Sequence, residues 1–286
     1  MPYERVNDLN ANANDCQYHY ASIETLRMND LFDISGKVAL VTGGSRGIGE
    51  MIAEGFVRNG VRTYISARKA DACDATAERL SELGECISIP ADLSTAAGIK
   101  TLADEISGLE SKLDILVNNA GAAWGAPIED YPESGWDKVM DINIKSPFFL
   151  TQALLSLLEK AASSDDPARI ICIGSVDGLN VSRLPNFAYG PSKAAIHHLA
   201  RTMASHLADR HITSNAIAPG PFPSKMTAGI LKSYGEEIEK GVPLKRLGQP
   251  SDMAGAAIFL ASKAASYVTG VVIPVDGGIV GCAGTL

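Results

Sequence analysis

The fold is decided by residues 37–49, whose sequence is KVALVTGGSRGIG. An apolar run that favours a β-strand ends at Thr42 and passes directly into a glycine-rich turn. Gly43, Gly47 and Gly49 let the backbone turn sharply, approach a pyrophosphate and pack the next helix against the strand. That helix offers free main-chain N–H groups to a phosphate. The stretch therefore predicts a strand, a dinucleotide-binding turn and a helix.

The same alternation of apolar runs and helical segments continues along the chain. Strands are predicted at 37–42, 61–66, 86–89, 113–118, 168–173, 212–218 and 271–275. Helices are predicted at 46–59, 71–83, 95–109, 134–160, 187–209 and 250–262. The apolar runs do not alternate strictly with polar residues, which is typical of parallel strands covered by helices on both faces. The chain is thus predicted to be a single α/β domain, a Rossmann-like doubly wound parallel sheet of about seven strands flanked by helices.

Two segments stand apart from this pattern. Residues 1–34 have little apolar periodicity and are predicted to be an N-terminal arm appended to a catalytic domain at 35–286. Residues 220–245 form the one long connection without a predicted strand. In a doubly wound fold such an insertion lies over the carboxyl edge of the sheet, so a lid is expected there.

Composition and charge exclude several classes of function. The chain has 286 residues, of which 46% are hydrophobic, and a formal net charge of −8. An acidic protein as a whole repels nucleic acid. The sequence contains no apolar run of about 18 residues, so no membrane span is predicted. Five widely spaced cysteines predict neither a disulfide framework nor a metal site and favour the reducing cytoplasm. Cys172, inside an apolar run, is predicted to be a small buried side chain.

Four motifs in order resemble those of the short-chain dehydrogenase/reductase family and together span nearly the whole chain except the arm. They are the Thr-Gly-x-x-x-Gly-x-Gly turn at 42–49, Asn-Asn-Ala-Gly at 118–121, Tyr-x-x-x-Lys at 189–193 and Pro-Gly at 219–220. The runs 173–175, 189–193 and 221–227 further resemble the β-ketoacyl reductases linked to rhamnolipid synthesis. The resemblance implies a nicotinamide-dependent oxidoreductase that reduces a ketone to a secondary alcohol and assembles as a homotetramer or homodimer.

The preference for NADP(H) follows from the end of the second predicted strand. Enzymes that use NAD usually place an acidic residue there, about 20 residues beyond the glycines, to bind the ribose hydroxyls. This chain has Arg68 at that place and a second cation at Arg46. Two guanidinium groups can hold a 2′-phosphate, which an acidic side chain would repel. The alternative is that Arg68 is a solvated residue neutralised by Asp71 or Asp74.

The full set of predicted cofactor contacts combines the glycine turn, the arginines and the family motifs. It comprises Gly43, Ser45, Arg46, Gly47, Ile48, Gly49, Arg68, Asp92, Leu93, Asn119, Ala120, Gly121, Tyr189, Lys193, Pro219 and Gly220. Lys69 could add a further contact to the phosphate. No metal is predicted.

The predicted catalytic residues are Asn143, Ser175, Tyr189 and Lys193. Tyr189 and Lys193 are four residues apart and share a helix face, so the ammonium is expected to lower the phenol pKa from its usual value of about 10. Hydride comes from the nicotinamide, so the protein must supply a proton. The resemblance implies that Lys193 binds the nicotinamide ribose. It also implies that Ser175 bonds the substrate carbonyl and that Asn143 holds a water linking Lys193 to solvent.

The substrate pocket is expected after the fourth, fifth and sixth strands. Its predicted lining is mostly apolar, which favours a hydrophobic or acyl-chain ketone or acyl thioester, although each residue could instead be core or lid packing. The lining residues are Trp124, Leu179, Phe187, Phe222 and Met226. An acyl carrier protein would need basic residues at the rim. The candidates are Arg183, Lys225, Lys232, Lys245 and Arg246, countered by Glu236, Glu237 and Glu239.

Several alternatives remain open at this point. A polyketide, diketone, steroid or small aliphatic ketone could replace the 3-oxoacyl group, and a non-catalytic NADP-binding redox sensor is a further possibility. A metal site at His197 and His198 is not favoured, because no acidic or cysteine ligands are adjacent and neighbouring positions point to different helix faces. Both are predicted to be helix-surface or subunit-contact residues. Asp177 either points away from the pocket or contacts a polar group of the substrate.

Overall fold

Seven parallel strands form one sheet in the computed structural model, which describes residues 28–182, 184–224 and 227–282. The strands are β1 (Val38–Thr42), β2 (Arg62–Ser66), β3 (Cys86–Ser88), β4 (Ile115–Asn118), β5 (Ala168–Ile173), β6 (Ile212–Pro219) and β7 (Val272–Val275). Their order is β3-β2-β1-β4-β5-β6-β7, and every neighbouring pair is parallel. The chain reverses direction across the sheet between β1 and β4, so ligand-binding loops are expected to converge at the carboxyl ends of these strands.

Helices cover both faces of the sheet. They are α1 (Met28–Phe32), α2 (Gly47–Arg58), α3 (Ala70–Ser81), α4 (Ala96–Leu109), α5 (Glu133–Met140), α6 (Ser146–Ala161), α7 (Tyr189–Leu207), α8 (Ala228–Gly241) and α9 (Pro250–Ala261). One buried cluster joins α2, α3 and α9 to the sheet, and a second joins α4, α6 and α7 to its other face. The predicted doubly wound α/β fold is confirmed. No helix of the described residues has the length and apolar character needed to cross a bilayer.

Secondary structure follows the apolar pattern closely, with two informative differences. The helix predicted at 134–160 is divided by a five-residue π-helical turn, Asp141–Lys145, between α5 and α6. The predicted lid segment contains α8, whose backbone is non-helical at Tyr234. Cys172 is buried in the core, as predicted.

Part of the predicted arm packs onto the body. The Phe32 ring lies 6.5 Å from the ring of Phe259 on α9, and Ile34 is fully buried in the core cluster of α2 and α9. Residues 1–27 lie outside the described part of the chain. The packed region therefore begins before residue 35, within the segment assigned to the arm.

A single hydroxyl joins the carboxyl ends of β1 and β4. Thr42, at the end of β1, is buried, and its Oγ1 donates to the Val117 carbonyl at 3.1 Å. The same oxygen accepts the main-chain N–H groups of Asn119 at 2.9 Å and of Ala120 at 3.0 Å. These three bonds fix the loop after β4 against the glycine turn, at the point where the strand order reverses.

Replacing Thr42 with Val keeps the side-chain shape but leaves two N–H groups and a carbonyl without this partner. We expect Thr42→Val to lower the free energy of unfolding by about 2–3 kcal/mol, because unpaired buried polar groups are costly. Thr42→Ser keeps the hydroxyl and should lose less than about 1 kcal/mol, the contribution of one methyl group. Urea unfolding at one fixed protein concentration measures both, and equal losses in the two variants would contradict this role of the hydroxyl.

Candidate active site

The glycine turn lies against the loop after β4. Gly43 has a positive φ of 65°, and a Cβ added there would lie 2.8 Å from Asn119 Nδ2. A side chain at Gly49 would collide with the Gly43 carbonyl and the same amide. The Asn119 amide in turn donates to the carbonyls of Thr42 at 2.8 Å and Gly43 at 3.2 Å. The absence of side chains at Gly43 and Gly49 therefore lets the turn pack tightly against the loop after β4.

The rest of the turn is held in place by its neighbours. The Ser45 carbonyl accepts the hydroxyl of Thr76 on α3 at 3.0 Å, and Ile48 packs on the core cluster of α2. Gly47 also has a positive φ, 56°, and lies close to Ser224 of the lid segment. The turn is thus held by α3 and by the core, and it lies beside the segment predicted to be a lid.

Two cations flank this cradle. Arg46 and Arg68 are both exposed, and neither forms an ion pair with any described residue. Neighbouring arginines do form such pairs, because Arg62 binds Glu85 and Arg79 binds Glu50. The alternative in which Asp71 or Asp74 neutralises Arg68 therefore has no support in the contacts. Both guanidinium groups are available to an anionic ligand.

Further predicted cofactor contacts lie along the same edge of the sheet. The Asp92 carboxylate accepts the hydroxyl of Ser94 at 2.7 Å and its N–H at 3.1 Å, which fixes its direction. The Leu93 side chain is buried in the core, so its main chain is the part left for a ligand. Pro219 ends β6, and Gly220 donates its N–H to the Val275 carbonyl at 3.0 Å.

Ser175 is presented by the turn that follows β5. It is buried, and its Oγ accepts the Asp177 N–H at 3.1 Å. Since that contact uses a lone pair of the hydroxyl, its own hydrogen remains free to donate. Asp177 is partly buried, which raises the pKa of its carboxyl, and a hydrogen bond with Asn186 opposes that shift. Asp177 therefore contacts Ser175 through its main-chain N–H.

Tyr189 and Lys193 share a face of α7, as their spacing predicts. The Lys193 Nζ lies 5.6 Å from the centre of the Tyr189 ring and donates to the Ile173 carbonyl at 2.8 Å. Gly121 lies beside this ammonium, because a Cβ added at Gly121 would be 3.6 Å from Nζ. The helix thus brings the phenol and the ammonium to the end of β5 and to the loop after β4.

The prediction that Lys193 lowers the pKa of Tyr189 is wrong for this structure. Burial raises the pKa of the Tyr189 phenol to about 12, with the Ser175 hydroxyl opposing the rise and Asp177 adding to it. Burial also lowers the pKa of the Lys193 ammonium to about 8. Loss of water outweighs the attraction expected from sequence spacing. At neutral pH the phenol therefore keeps its proton.

Asn143 lies in the π-helical turn and connects three parts of the site. Its Oδ1 accepts the Ala122 N–H at 2.8 Å, and its Nδ2 donates to the Ala122 carbonyl at 3.0 Å and to Ser192 Oγ at 2.9 Å. Ser192 then donates to the Tyr189 carbonyl at 2.7 Å. Both amide hydrogens are used, so this side chain fastens the loop after β4 to α7. Sequence reasoning missed Ser192, whose only signal is its place beside Lys193.

His197 contradicts its predicted surface position, whereas His198 is exposed as expected. One helical turn beyond Lys193, the His197 ring points toward the sheet and is almost fully buried. Burial lowers its pKa to about 4, and the charges of Lys193 and Arg201 lower it further. The residue is therefore a neutral imidazole behind the site.

Aromatic side chains on two loops form one wall beside the site. The Tyr131 ring meets Phe187 edge to face at 5.7 Å, and its hydroxyl donates to the Trp124 carbonyl at 3.2 Å. That hydroxyl also accepts the Ala188 N–H at 3.4 Å, one residue before Tyr189. Leu179 and Phe187 are exposed, in keeping with a predicted lining role, and Met226 lies outside the described residues.

Phe222 packs differently from the other predicted pocket residues. It is buried in the core cluster of α2 and α9, directly against Gly248, so the packing alternative describes it. It also borders a cavity of about 430 Å³ between the end of β6, residues 243–248 and the C-terminal segment. Neither Ser175 nor Tyr189 lines that cavity.

The basic rim is weaker than the sequence indicates. Arg246 forms a two-pronged ion pair with Asp252, which raises the pKa of the guanidinium. Lys245 donates to the Lys240 carbonyl at 2.6 Å, and Lys232 is exposed. Arg183 and Lys225 lie outside the described residues. Arg246 is therefore engaged within the chain, and the rim lacks a concentrated positive surface in its described part.

Comparisons with known proteins agree with this geometry. A family model described as "Enoyl-(Acyl carrier protein) reductase" matches residues 43–280. The chain is 52% identical over 253 residues to the "Rhamnolipids biosynthesis 3-oxoacyl-[acyl-carrier-protein] reductase" of Pseudomonas aeruginosa, covering 88% of this chain and 99% of that protein. It is 34% identical to the 7alpha-hydroxysteroid dehydrogenase of Escherichia coli, covering 87% and 96%.

A solved structure shares both fold and sequence. The Pseudomonas aeruginosa RhlG/NADP active-site complex superposes with a TM-score of 0.86 at 52% identity, covering 88% of this chain and 99% of that one. The match thus includes the sheet, the glycine turn and the helix of Tyr189. This chain belongs to the short-chain dehydrogenase/reductase family and is an oxidoreductase.

Proposed function

We propose that the chain reduces 3-oxoacyl thioesters to 3-hydroxyacyl thioesters with NADPH. The observation that carries this is the meeting of Ser175, Tyr189 and Lys193 beside a glycine cradle with two arginines that pair with no acidic side chain in the described part of the chain. The 52% identical relative is named as a 3-oxoacyl reductase, which favours this substrate class over other ketones. Its named carrier, an acyl carrier protein, is less supported here, since Arg246 is already paired with Asp252.

The described residues fit NADP(H) at the cradle. Gly43 and Gly49 permit the tight turn that brings the N-terminus of α2 to a pyrophosphate, since a Cβ at either would collide with Asn119 or with the Gly43 carbonyl. Arg46 and Arg68, which pair with no acidic side chain of the described residues, offer two cations to a 2′-phosphate. Asp92 is assigned to the adenine, and the Asn119–Gly121 loop and Lys193 to the nicotinamide ribose. When bound, NADPH supplies the hydride to the carbonyl carbon.

The protein's own part in the reaction is to bind the carbonyl oxygen and protonate it. Ser175 has a free hydroxyl hydrogen and faces the Tyr189 phenol, so the two can donate to the two lone pairs of one carbonyl oxygen. Tyr189 then gives up its proton as negative charge develops on that oxygen. Lys193, charged below about pH 8, stabilises the tyrosinate that remains.

Re-protonation of Tyr189 needs a path to solvent, to which we assign the π-helical turn. A π-turn shifts the helical hydrogen bonds by one residue and is frequent at functional sites. Because the Asn143 side chain is engaged with Ala122 and Ser192, we assign the water contact to the main chain of this turn. Asn143 supports the relay by holding that turn between the loop after β4 and α7.

The chain is also proposed to act in the cytoplasm as a homo-oligomer. Cys73, Cys86, Cys172 and Cys282 are free thiols, which are typical of a reducing compartment. Exposed aromatic side chains on α5 and α6, Trp136, Phe148 and Phe149, favour a subunit contact. Sedimentation of the purified chain would measure the assembly.

The test of function is a comparison of matched substrates. Purified protein with NADPH should oxidise the cofactor with a 3-oxoacyl thioester, and more slowly with the 2-enoyl thioester of equal length or a keto-steroid. A faster enoyl reaction would favour the activity in the family description over ours. Binding of NADPH without turnover of any carbonyl would favour a sensor.

Tyr189→Phe removes the proposed proton donor while keeping the ring. We expect kcat for the ketone to fall by about 100-fold or more, in the range of general acid catalysis, with the Kd for NADPH little changed. Tyr267→Phe makes the same chemical change at a fully exposed tyrosine and should leave kcat at the parent value. Full activity in Tyr189→Phe would exclude the proposed chemistry.

Arg68→Asp replaces a cation at the cradle with an anion. Because each charge-assisted hydrogen bond contributes about 1.5–3 kcal/mol, kcat/KM for NADPH should fall by about 10- to 100-fold while that for NADH is retained or rises. Lys100→Asp makes the same charge change on the exposed face of α4 and serves as the control. An unchanged cofactor preference in Arg68→Asp would remove the assignment of the 2′-phosphate.

The lowered pKa of Lys193 predicts a pH dependence. The ammonium is charged below its pKa of about 8 and loses its charge above it. We therefore expect kcat/KM for NADPH to be constant near pH 7 and to decline as pH rises through that value, over a series from about pH 6.5 to about pH 9.5. Lys193→Arg keeps its charge throughout, so residual activity of that variant should not decline. A flat parent profile would contradict the assignment of Lys193 to the cofactor.

A further inference from the structure

His197 lies directly behind the turn that presents Ser175. It follows Lys193 by one turn of α7, and its ring is packed against Gly174 so closely that no side chain fits at that position. Only 2% of the residue is exposed. Burying a polar ring here is costly unless its nitrogens are used, so a leucine would pack with less penalty. A buried imidazole at position 197 is therefore expected to make a polar contact.

The ring contacts the first residue of the turn through one nitrogen. Its Nε2 accepts the main-chain N–H of Ser175 at 3.4 Å. Because a neutral imidazole has one donor and one acceptor nitrogen, and Nε2 accepts, the hydrogen is on Nδ1, which meets no strict hydrogen-bond partner in the described residues. The bond to Ser175 is thus the defined polar contact of this ring.

The hydrogen bonds of the turn link the position of the Ser175 main chain to the direction of the Ser175 hydroxyl. The Gly178 N–H is donated to the Ser175 carbonyl at 3.0 Å, and the Asp177 N–H to Ser175 Oγ at 3.1 Å. A shift of the Ser175 main chain therefore moves the oxygen and changes where its free hydrogen points. His197 engages the Ser175 N–H, whereas the bonds within the turn engage the Ser175 carbonyl and hydroxyl.

We propose that His197 is a positioning residue: by accepting the Ser175 N–H, it sets the direction in which the Ser175 hydroxyl donates to the substrate carbonyl. The proposal rests on the proposed function, in which Ser175 binds that carbonyl. It goes beyond that function because His197 touches neither substrate nor cofactor. Its effect should appear in the chemical step, where small displacements of an aligned donor matter most.

Matched variants separate the acceptor from the volume of the ring. His197→Gln places a side-chain oxygen near the position of Nε2, whereas His197→Leu fills the space without an acceptor. We expect kcat of His197→Leu to fall by about 10- to 100-fold, the scale of a misplaced catalytic group, with KM and the Kd for NADPH within about threefold of the parent. His197→Gln should recover most of kcat. His198→Gln, on the exposed neighbour, is the control and should match the parent.

A double-mutant cycle tests whether His197 acts through Ser175. In a Ser175→Ala background the hydroxyl is absent, so adding His197→Leu should lower kcat by less than about twofold. An undiminished effect in that background would overturn the proposal, as would equal kcat values for His197→Leu and His197→Gln. If Ser175→Ala alone keeps the parent kcat, the proposed function fails instead, and the two failures are thereby distinguished.

Folding of the variants is checked by thermal unfolding and by the Kd for NADPH. Should His197→Leu not fold, His197→Asn replaces it, because its side chain reaches the position of Nδ1 but not that of Nε2. The expected order is then His197→Gln above His197→Asn in kcat, with equal Kd for NADPH. The reverse order, or equal values, would overturn the proposal.

Discussion

The arrangement of the site depends on one buried cation, the ammonium of Lys193. Removing such a group from water costs several kcal/mol, and the Ile173 carbonyl at 2.8 Å is the neutral partner that the end of β5 offers it. This contact anchors α7 beneath the sheet edge. Ser192 and His197 point from the same region of the helix toward Asn143 and Ser175. The position of Lys193 therefore sets where the neighbouring polar groups lie.

The sheet was predictable because its central strands β1, β4, β5 and β6 are buried along their whole length and are mostly apolar runs. β5 begins and ends where the apolar run 168–173 does, and the other strands differ by a few residues at their ends. The π-helical turn at Asp141–Lys145 was not predictable, since a single shifted turn keeps nearly the same apolar period as an α-helix. The π-helical turn is accompanied by hydrogen bonds from Asn143 to Ala122 and Ser192, which are remote from it in sequence.

The site was predictable where its chemistry depends on local spacing and not where it depends on remote packing. Tyr189 and Lys193 share a helix face by their spacing alone, and the glycine turn follows its strand directly. The buried ring of His197 and the pairing of Arg246 with Asp252 depend on which surfaces meet, which spacing does not encode. The rise of the Tyr189 pKa was likewise not predictable from spacing, because its main cause is burial of the phenol by tertiary packing.

Burial acts on Tyr189 and Lys193 in opposite directions and makes them suited to one proton transfer. It raises the pKa of a group that becomes negative and lowers that of a group that is positive, here to about 12 and about 8. Both changes favour the neutral forms, so the phenol holds its proton until negative charge develops on a nearby oxygen. Once the phenol has given up its proton, the tyrosinate favours the charged form of Lys193, since opposite charges in a dry site attract strongly. Tyrosinate alone or ammonium alone is therefore costly in this buried site, whereas the pair of opposite charges is stabilised by mutual attraction. The same burial that moves the two pKa values apart thus couples the protonation of Tyr189 to that of Lys193.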